Sequence, residues 1–272
     1  MDPNLQRRVQ RYGWDKAASL YEQYWQDQLR PAQDLLLELA ALAPGEHVLE
    51  VASGTGLVTF RAAAAVGPSG SVLATDISDA MLDELQREAR AQGFTNVPTR
   101  RMDAETLDVP PASFDVALCA LGLMYVPDPI AALEQMRAAL KPGGRAVCAV
   151  WGARSQCGWA DIFPIVDARV QSEVCPMFFS LGTGDALAAA MQAAGFTDVT
   201  SRRISTVLHY ESAEDACGAA FAGGPVALAY SRFDNATRAA ANAEYLQSID
   251  RWRSGRQFDV PGEFVVCRGS HG

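Results

Sequence analysis

The stretch that decides the fold is VLEVASGTGLVTF, residues 48–60, in which two glycines separate two apolar runs. The first run predicts a buried strand and the second a helix, with a tight turn at Gly54-Thr55-Gly56 between them. Glycine permits positive φ angles and lets a ligand approach the backbone closely. The start of a helix offers free N–H groups and the positive end of its dipole. The turn is therefore predicted to line a ligand site.

Short apolar runs and helical segments alternate after this turn. Predicted strands lie at 47–51, 71–75, 97–102, 114–119 and 145–151, and predicted helices at 56–66, 78–92 and 128–140. This alternation is typical of a parallel sheet covered by helices on both faces. Pro98 places the third strand at a sheet edge, because proline cannot donate to a strand ladder. The predicted fold class is α/β with a doubly wound sheet.

The remaining segments surround this core. Residues 1–43 have helical periodicity interrupted at Arg30–Pro31, and they are expected to form a lid. After Trp151 the sequence predicts a helix at 186–194, a strand at 199–210, a helical block at 212–252 and a last strand around 263–268. We therefore expect an N-terminal helical lid (1–43), a sheet core (44–211 and 260–272) and a helical insertion (212–259) that caps one end of the sheet.

Composition disfavours several classes of protein. The chain has 23 Lys and Arg against 32 Asp and Glu, a net charge of −9, whereas nucleic-acid binding requires clustered positive charge. No apolar stretch approaches the roughly 18 residues of a membrane-spanning helix, and the N-terminus lacks the apolar core of a signal peptide. The six cysteines include no C-x-x-C pair, which argues against a metal cluster or disulfide framework. We expect a cytoplasmic protein without nucleic-acid, membrane or metal partners.

The glycine turn lacks the features of phosphate-binding loops. A P-loop requires a lysine after its glycines, and none follows here. A dinucleotide turn prefers G-x-G-x-x-G, but Thr59 stands at the third glycine position. A nicotinamide-dependent oxidoreductase on a similar sheet is an alternative that Thr59 disfavours.

Three acidic residues end three successive predicted strands: Glu50, Asp76 and Asp103. The carboxyl ends of parallel strands meet where doubly wound sheets bind ligands. Asp76 is placed to accept hydrogen bonds from both hydroxyls of a ribose, and Asp103 from an adenine amine. Three carboxylates favour a nucleoside that carries positive charge over a pyrophosphate. S-adenosylmethionine, with its sulfonium and ammonium groups, fits this pattern.

The sequence resembles the class I S-adenosylmethionine-dependent methyltransferases, in the branch of the quinone-biosynthesis C-methyltransferases and many small-molecule methyltransferases. The matching stretches are VLEVASGTG, VLATDIS with Met81 following, RRMDAETLDVPPASFDVALCALGLMYVPDP and LKPGGRAVCAVWG, and AAGFTDV extends the match to Val199. The resemblance implies a Rossmann-like, mostly parallel sheet of seven strands in the order 3-2-1-4-5-7-6.

The resemblance also implies which residues bind the donor. They are Glu50, Ala52, Ser53, Gly54 and Gly56 at the glycine turn, Asp76 and Ile77 at the ribose, Met81, Asp103 and Ala104 at the adenine, and Ala120 near the sulfonium. Tyr21, from the aromatic group Trp14, Tyr21, Tyr24 and Trp25 in the predicted lid, is a further candidate. Ala52 departs from the family pattern, which has glycine there.

The sequence does not identify a general base. Many family members carry a histidine after the fourth strand, whereas this chain has Met124–Tyr125, and Tyr125 is the candidate to position or deprotonate an acceptor. His47, His209 and His271 stand elsewhere and are expected to have structural or solvated roles. Because the sulfonium is already activated, alignment alone can supply much of the acceleration, up to ~7–11 kcal/mol. Catalysis is predicted to be mainly positional.

The predicted function is transfer of a methyl group from S-adenosylmethionine to a small, partly hydrophobic acceptor, with release of S-adenosylhomocysteine. The alternative from another class is a non-catalytic protein that binds the donor, since a fold does not by itself imply an activity. The acceptor, the methylated atom and the oligomeric state stay open.

Overall fold

One mixed sheet organises the computed structural model, which describes residues 2–170, 175 and 177–272. Its eight strands are β1 (His47–Val51), β2 (Ser71–Asp76), β3 (Thr99–Arg101), β4 (Phe114–Ala120), β5 (Leu140–Trp151), β6 (Thr197–Tyr210), β7 (Arg253–Ser254) and β8 (Gln257–Ser270). The strands follow the order β3-β2-β1-β4-β5-β8-β6, and β7 pairs with β8. Strands β1 to β5 pair in parallel, whereas β8 is antiparallel to β5, β6 and β7.

This topology confirms the predicted fold. The last strand, β8, lies between β5 and β6, which is the place predicted for the seventh strand. The two-residue β7 is an eighth strand that the sequence did not predict. β3 lies at the edge of the sheet directly after Pro98, as the proline indicated.

Helices cover the sheet. They are α1 (Pro3–Ala40), α2 (Thr59–Val66), α3 (Asp79–Gln92), α4 (Pro129–Ala139), α5 (Ile162–Asp167), α6 (Ala186–Ala193), α7 (Ala213–Cys217), α8 (Ala227–Ser231) and α9 (Asn235–Ile249). Helices α2 and α3 pack on β1 to β3, and α4 packs on β4 and β5. Asp128 caps the start of α4, since its carboxylate accepts from the N–H groups of Ile130 and Ala131.

The predicted break at Arg30–Pro31 is wrong, because α1 is continuous from Pro3 to Ala40. Proline removes one helical hydrogen bond. On either side of it, however, Leu29, Ala32 and Leu36 are almost fully buried in one core. This packing keeps the two halves of the helix together. Within the described residues, no helix combines the length and apolarity that crossing a membrane requires.

Several element boundaries differ from prediction, among them the starts of α2 and β8. Helix α2 begins at Thr59, three residues after the predicted start at Gly56. Gly56 has φ 104° and donates its N–H to the Ser53 carbonyl, so it still belongs to the turn. Strand β8 begins at Gln257, so residues 257–259 pair in the sheet rather than extend the helical segment.

Buried strand residues form the core. Cys119, Cys148 and Cys267 stand side by side on β4, β5 and β8, and each is 1% exposed or less. Cys119, Cys148 and Cys267 are therefore core thiols. All six cysteines are free. The central strands therefore form an apolar layer whose polar residues lie at the strand ends.

Candidate active site

A cavity with about 980 Å³ of space between atoms lies at the carboxyl ends of the central strands. Asp103 and Asp76 border it after β3 and at the end of β2, Ala52 and Ala120 border it beside β1 and β4, and Trp151 borders it at the end of β5. Doubly wound sheets bind ligands at this edge. The cavity therefore runs across the sheet from an acidic end to an aromatic end.

Most of the site residues predicted from sequence border this one cavity. They are Tyr21, Ala52, Gly54, Asp76, Ile77, Met81, Asp103, Ala104, Ala120 and Tyr125. Glu50, Ser53 and Gly56 are not among the bordering residues. A Cβ on Gly56 would lie 2.6 Å from the Phe60 ring, so packing and a positive φ explain this glycine without a ligand. The predicted lid residue Tyr24 instead packs against Gly218 and Gly223.

Asp76 is held by the backbone of the glycine turn. The Gly54 N–H donates to Oδ2 at 2.9 Å, and the Ser78 N–H donates to Oδ1 at 2.9 Å. Burial raises the pKa of Asp76 to about 6 although these hydrogen bonds oppose the shift. The turn N–H of Gly54 thus points at a carboxylate of the protein itself. That carboxylate, rather than the turn alone, faces the cavity.

Glu50 lies beneath the turn and is 1% exposed. The Thr59 hydroxyl donates to its Oε2 at 2.6 Å. Burial raises the pKa of Glu50 to about 8, against the opposing effect of this hydrogen bond. A dinucleotide turn would have glycine at position 59. In this chain the position holds Thr59, whose hydroxyl donates a hydrogen bond to Glu50.

Two non-glycine residues beside the cavity have positive φ angles. Ala52 has φ 56° and Leu121 has φ 62°, and such conformations are uncommon outside glycine. A Cβ added to Gly122 would lie 2.4 Å from the Ala52 Cβ. The family pattern has glycine where this chain has Ala52. The Ala52 methyl group fits because Gly122, which follows β4, has no side chain. Backbone strain of this kind concentrates at functional sites.

The acidic end is closed by α1. Arg7 Nε lies 2.8 Å from Asp103 Oδ2 and Arg7 Nη2 lies 2.7 Å from Glu105 Oε2. The second oxygen of Asp103, Oδ1, accepts the Glu105 N–H at 3.0 Å. Both oxygens of the carboxylate predicted to meet adenine are therefore already engaged by the protein. The sequence alone did not indicate this partner.

One face of α1 lies along the cavity. Its bordering residues recur at helical spacing and are Arg7, Gln10, Trp14, Tyr21, Trp25 and Leu29. Two further contacts fasten the helix beside this face: Ser78 Oγ donates to Asp15 Oδ1 at 2.6 Å, and Arg11 pairs with Asp79 at 2.7 Å. The helix therefore covers the acidic end, the centre and the aromatic end together.

The aromatic end consists of Trp25, Tyr125, Trp151, Trp159 and Phe178. Trp151 and Trp159 have ring centroids 4.8 Å apart, and Trp25 lies 6.1 Å from each. Phe178 lies 5.4 Å from Tyr125 and 5.5 Å from Trp159. Rings at these spacings and angles form edge-to-face contacts. The aromatic end is thus lined mainly by apolar ring surface.

Sequence reasoning missed part of this compartment. Trp151 closes a predicted strand at its carboxyl end, so its position in the sheet was a usable signal. Trp159 and Phe178 come from the segment after β5, where strand and helix no longer alternate, and no pattern there indicated them. From the helical segment 212–252 predicted to roof the acceptor pocket, Pro225 borders the cavity.

Tyr125, the predicted catalytic candidate, borders the cavity with its side chain half-buried. Burial, with Cys175 and Tyr21 nearby, raises its pKa well above the ordinary value. Its hydroxyl therefore keeps its proton at neutral pH and can donate a hydrogen bond, but it is a poor general base. Among the described residues that border the cavity there is no histidine.

The residues of the acidic end fit a charged nucleoside. Small residues at Ala52, Gly54 and Ala120 leave room for close approach, and Asp76 offers a buried carboxylate. Beside them, the hydroxyls of Ser53 and Thr55 are buried without a partner in the described part of the chain. Neither residue borders the cavity, so these hydroxyls are not assigned to a ligand. S-adenosylmethionine matches the small residues and the carboxylate.

The sheet has the strand order that the sequence resemblance implied, an antiparallel last strand and an acidic cavity at its carboxyl edge. One protein family, described as a methyltransferase domain, matches residues 48–144. This part of the chain is therefore similar to a methyltransferase domain.

Three curated proteins are similar to this chain. Aklanonic acid methyltransferase DauC of Streptomyces sp. (strain C5) is 33% identical over 132 residues, which are 48% of this chain and 60% of the relative. Nocamycin O-methyltransferase of Saccharothrix syringae is 29% identical over 89% of this chain and 91% of its own length. The ubiquinone/menaquinone biosynthesis C-methyltransferase UbiE of Teredinibacter turnerae is 41% identical over 40% of this chain and 44% of its own length.

The chain thus spans less than two thirds of the first and third of these relatives. A crystal structure of a putative methyltransferase from Bacillus halodurans C-125 has the same fold, with a TM-score of 0.60 over 88% of this chain and 98% of that one at 18% identity. The similarity to quinone C-methyltransferases inferred from the motifs is confirmed.

Proposed function

We propose that this protein transfers a methyl group from S-adenosylmethionine to a small, largely apolar acceptor and releases S-adenosylhomocysteine. The observation that carries the proposal is that one cavity joins the acidic end, which suits the donor, to the aromatic end. The relatives' names describe methyltransferases of small molecules. An acceptor in the aromatic end would lie next to the donor without crossing solvent.

Each of these cavity residues would have a binding role that follows from its position. Asp76 would accept hydrogen bonds from the ribose, Asp103 from adenine, and Met81 would pack on the adenine face. The donor supplies a methyl group already activated by the sulfonium, so the chain's own contribution is alignment and exclusion of water. Tyr125 would orient the acceptor by donating a hydrogen bond, because its raised pKa keeps the proton on its oxygen.

We place the protein in the cytoplasm and expect no nucleic-acid partner. The six cysteines are free thiols, which suits a reducing compartment. The net charge of −9 would repel a phosphate backbone.

Calorimetry with S-adenosylmethionine, S-adenosylhomocysteine and NAD⁺ tests the donor site. The two adenosyl compounds should bind and NAD⁺ should not. Asp76→Asn should weaken S-adenosylhomocysteine binding by about tenfold or more, since it removes a charged acceptor. Asp83→Asn, an exposed change on α3, is the matched control. Binding of NAD⁺ alone would overturn the proposal.

A non-catalytic donor-binding protein is the second candidate, and the lack of a histidine or other evident base among the described cavity residues favours it. Turnover separates the two. Formation of S-adenosylhomocysteine in the presence of any phenol, thiol or enolisable ketone supports the enzyme. Tight donor binding without turnover across such a panel supports the binding protein.

A further inference from the structure

Strand β6 lies at the edge of the sheet opposite β3 and pairs on one side with β8. Most of its residues from 201 to 209 are exposed, and Val207 is 42% exposed. Proteins protect such edges with a charge, a proline, a bulge or a covering element, because an open edge pairs readily with another strand. Residues 204–208, ISTVL, hold neither a charge nor a proline. This part of β6 is therefore open to pairing with another strand.

The hydrogen bonds of His209 show which way the backbone of β6 points. Its N–H donates to Gln28 Oε1 at 3.1 Å, and its carbonyl accepts from Gln28 Nε2 at 2.6 Å. The backbone of His209 therefore faces α1 and not β8. Backbone direction alternates from one residue to the next along an antiparallel strand. Val207, Ser205 and Arg203 thus point to the free edge as well.

The neighbouring strand β8 gives the same direction. Pro261 and Glu263 stand opposite Val207 and Ser205. Their carbonyls accept the N–H groups of residues 158 and 152, which follow β5, so they face away from β6. No hydrogen bond from another described element reaches the backbone of Val207, Ser205 or Arg203. The edge therefore presents a row of free N–H and C=O groups at every second residue.

A second copy of this chain fits this edge because the edge is complementary to itself. A twofold axis through the edge brings the same strand of two copies together in antiparallel orientation. Gln28 ends the free row at His209, so the row runs from Arg203 to Val207 and its midpoint is Ser205. Pairing about this midpoint sets Ser205 opposite Ser205 and Arg203 opposite Val207. No two like charges then stand opposite each other.

Charge favours the same arrangement. The acidic residues that border the groove between α1 and the second half of β6 are Asp27, Glu211 and Asp215. No lysine or arginine is among the described residues that border this groove. Arg202, in the first half of β6, lies on the α1 side of the sheet, where it pairs with Glu38 and stays half-exposed. Pairing about Ser205 sets Arg202 opposite Leu208 of the second copy, beside the acidic groove.

We propose that this protein forms a twofold dimer in which the β6 strands of two copies pair antiparallel about Ser205 and join the two sheets into one. The basic half of each strand then meets the acidic groove of the other copy. Neither Ser205 nor Arg202 borders the cavity, so the dimer does not depend on the proposed function.

Sedimentation equilibrium of the full-length chain, from low micromolar to millimolar concentration, measures the association. The unsubstituted protein should form a dimer and no larger species, because pairing covers the free edge of both copies. Ser205→Pro should weaken the dimer about tenfold or more, because each copy loses an N–H group that faces the other. The fold should accept this change, since the Ser205 N–H does not face β8 and proline occurs at edge strands.

Hydrogen exchange of the unsubstituted protein gives a readout that does not depend on the folding of a variant. The N–H groups of Ser205 and Val207 should exchange more slowly as the protein concentration rises. Those of β3, the opposite edge of the sheet, should exchange at a constant rate and serve as the internal control.

Exchanging charges tests the contact between the copies. Arg202→Glu and Asp27→Arg should each weaken the dimer several-fold, because each places like charges together across the interface. An equimolar mixture of the two variants should form a heterodimer about as tight as the original dimer, since both contacts then join opposite charges. Arg8→Glu, an exposed change on α1, is the matched control and should leave the association unchanged.

A protein that stays monomeric up to millimolar concentration would overturn the dimer. A dimer that Ser205→Pro leaves equally tight would do the same, because its interface would lie elsewhere. A monomer whose Ser205 and Val207 N–H groups become protected on adding a lysine-rich, strand-forming peptide would assign the edge to another protein, and the proposal would then be wrong as well.

Discussion

The Thr59 hydroxyl donates to Glu50 Oε2 across 2.6 Å, and both side chains are almost fully buried. Thr59 is the first residue of α2, and Glu50 is in β1. The hydrogen bond therefore ties the helix that follows the glycine turn to the strand that precedes it. A glycine at position 59 would complete a dinucleotide pattern but would leave Glu50 without this donor.

Thr59→Val should destabilise the protein by about 1–3 kcal/mol, because it leaves a buried carboxyl group without its side-chain donor. Thr59→Ser keeps the hydroxyl and should cost less, about the loss of one methyl group. Urea unfolding of both variants measures the difference in unfolding free energy. Equal losses for valine and serine would show that packing of the methyl group, rather than the hydrogen bond, is what matters at this position.

The raised pKa of Glu50 predicts a pH-dependent stability. Burial lifts this pKa from 4.5 to about 8, so between these values the folded protein holds a proton that the unfolded chain releases. The unfolding free energy should therefore fall as pH rises towards 8, by up to about 1.4 kcal/mol per pH unit from this one group. Burial also raises the pKa of Asp76, so Asp76 adds to this fall in unfolding free energy, but only up to its pKa of about 6.

Glu50→Gln should flatten the slope of unfolding free energy against pH between about 6 and about 8, which lies above the pKa of Asp76 and below that of Glu50. Urea unfolding across this interval measures the slope. Glu134→Gln, an exposed change on α4, should leave it as it was. A Glu50→Gln protein with the original slope would mean that another group takes up the proton.

The parts of the fold that were predictable depend on local signals. The strand order follows from the alternation of strands and helices, and the place of Asp76 follows from the end of β2. Arg7 could not be found in this way, because its contact with Asp103 joins residues 96 positions apart and depends on how α1 lies across the sheet. Long-range packing also explains why α1 continues through Pro31.

The aromatic end was harder still to predict. Trp159 follows β5 in a segment without strand or helix periodicity, and its role depends on rings contributed by α1 and by residue 178. The identity of a residue such as tryptophan does not tell whether it packs in a core or borders a ligand. The position of Trp159 beside the cavity becomes visible only in the folded structure.

Ala52 and Gly122 should be energetically coupled. Gly122→Ala alone would place a Cβ 2.4 Å from the Ala52 Cβ and 2.8 Å from Cys119 Sγ, and should destabilise the protein by about 1–3 kcal/mol. Ala52→Gly removes one of these contacts and the cost of φ 56°, so it should be neutral or stabilising. In the double variant the loss should be smaller than the sum of the single effects. Additive effects in urea unfolding would contradict this coupling.

Arg7 should control how fast the donor leaves as well as how stable the protein is. Its ion pair with Asp103 is partly exposed, with side-chain exposures of 29% and 24%, but Arg7 also pairs with Glu105, whose side chain is 6% exposed, so Arg7→Met should lower the unfolding free energy by about 1–3 kcal/mol. The same change frees α1 from the rim of the acidic end, and S-adenosylhomocysteine should then dissociate several-fold faster. Stopped-flow displacement followed by tryptophan fluorescence measures the rate, and the exposed neighbour Arg8→Met is the control. An unchanged dissociation rate with slower association would show that Arg7 acts by attracting the ligand and not by holding the helix.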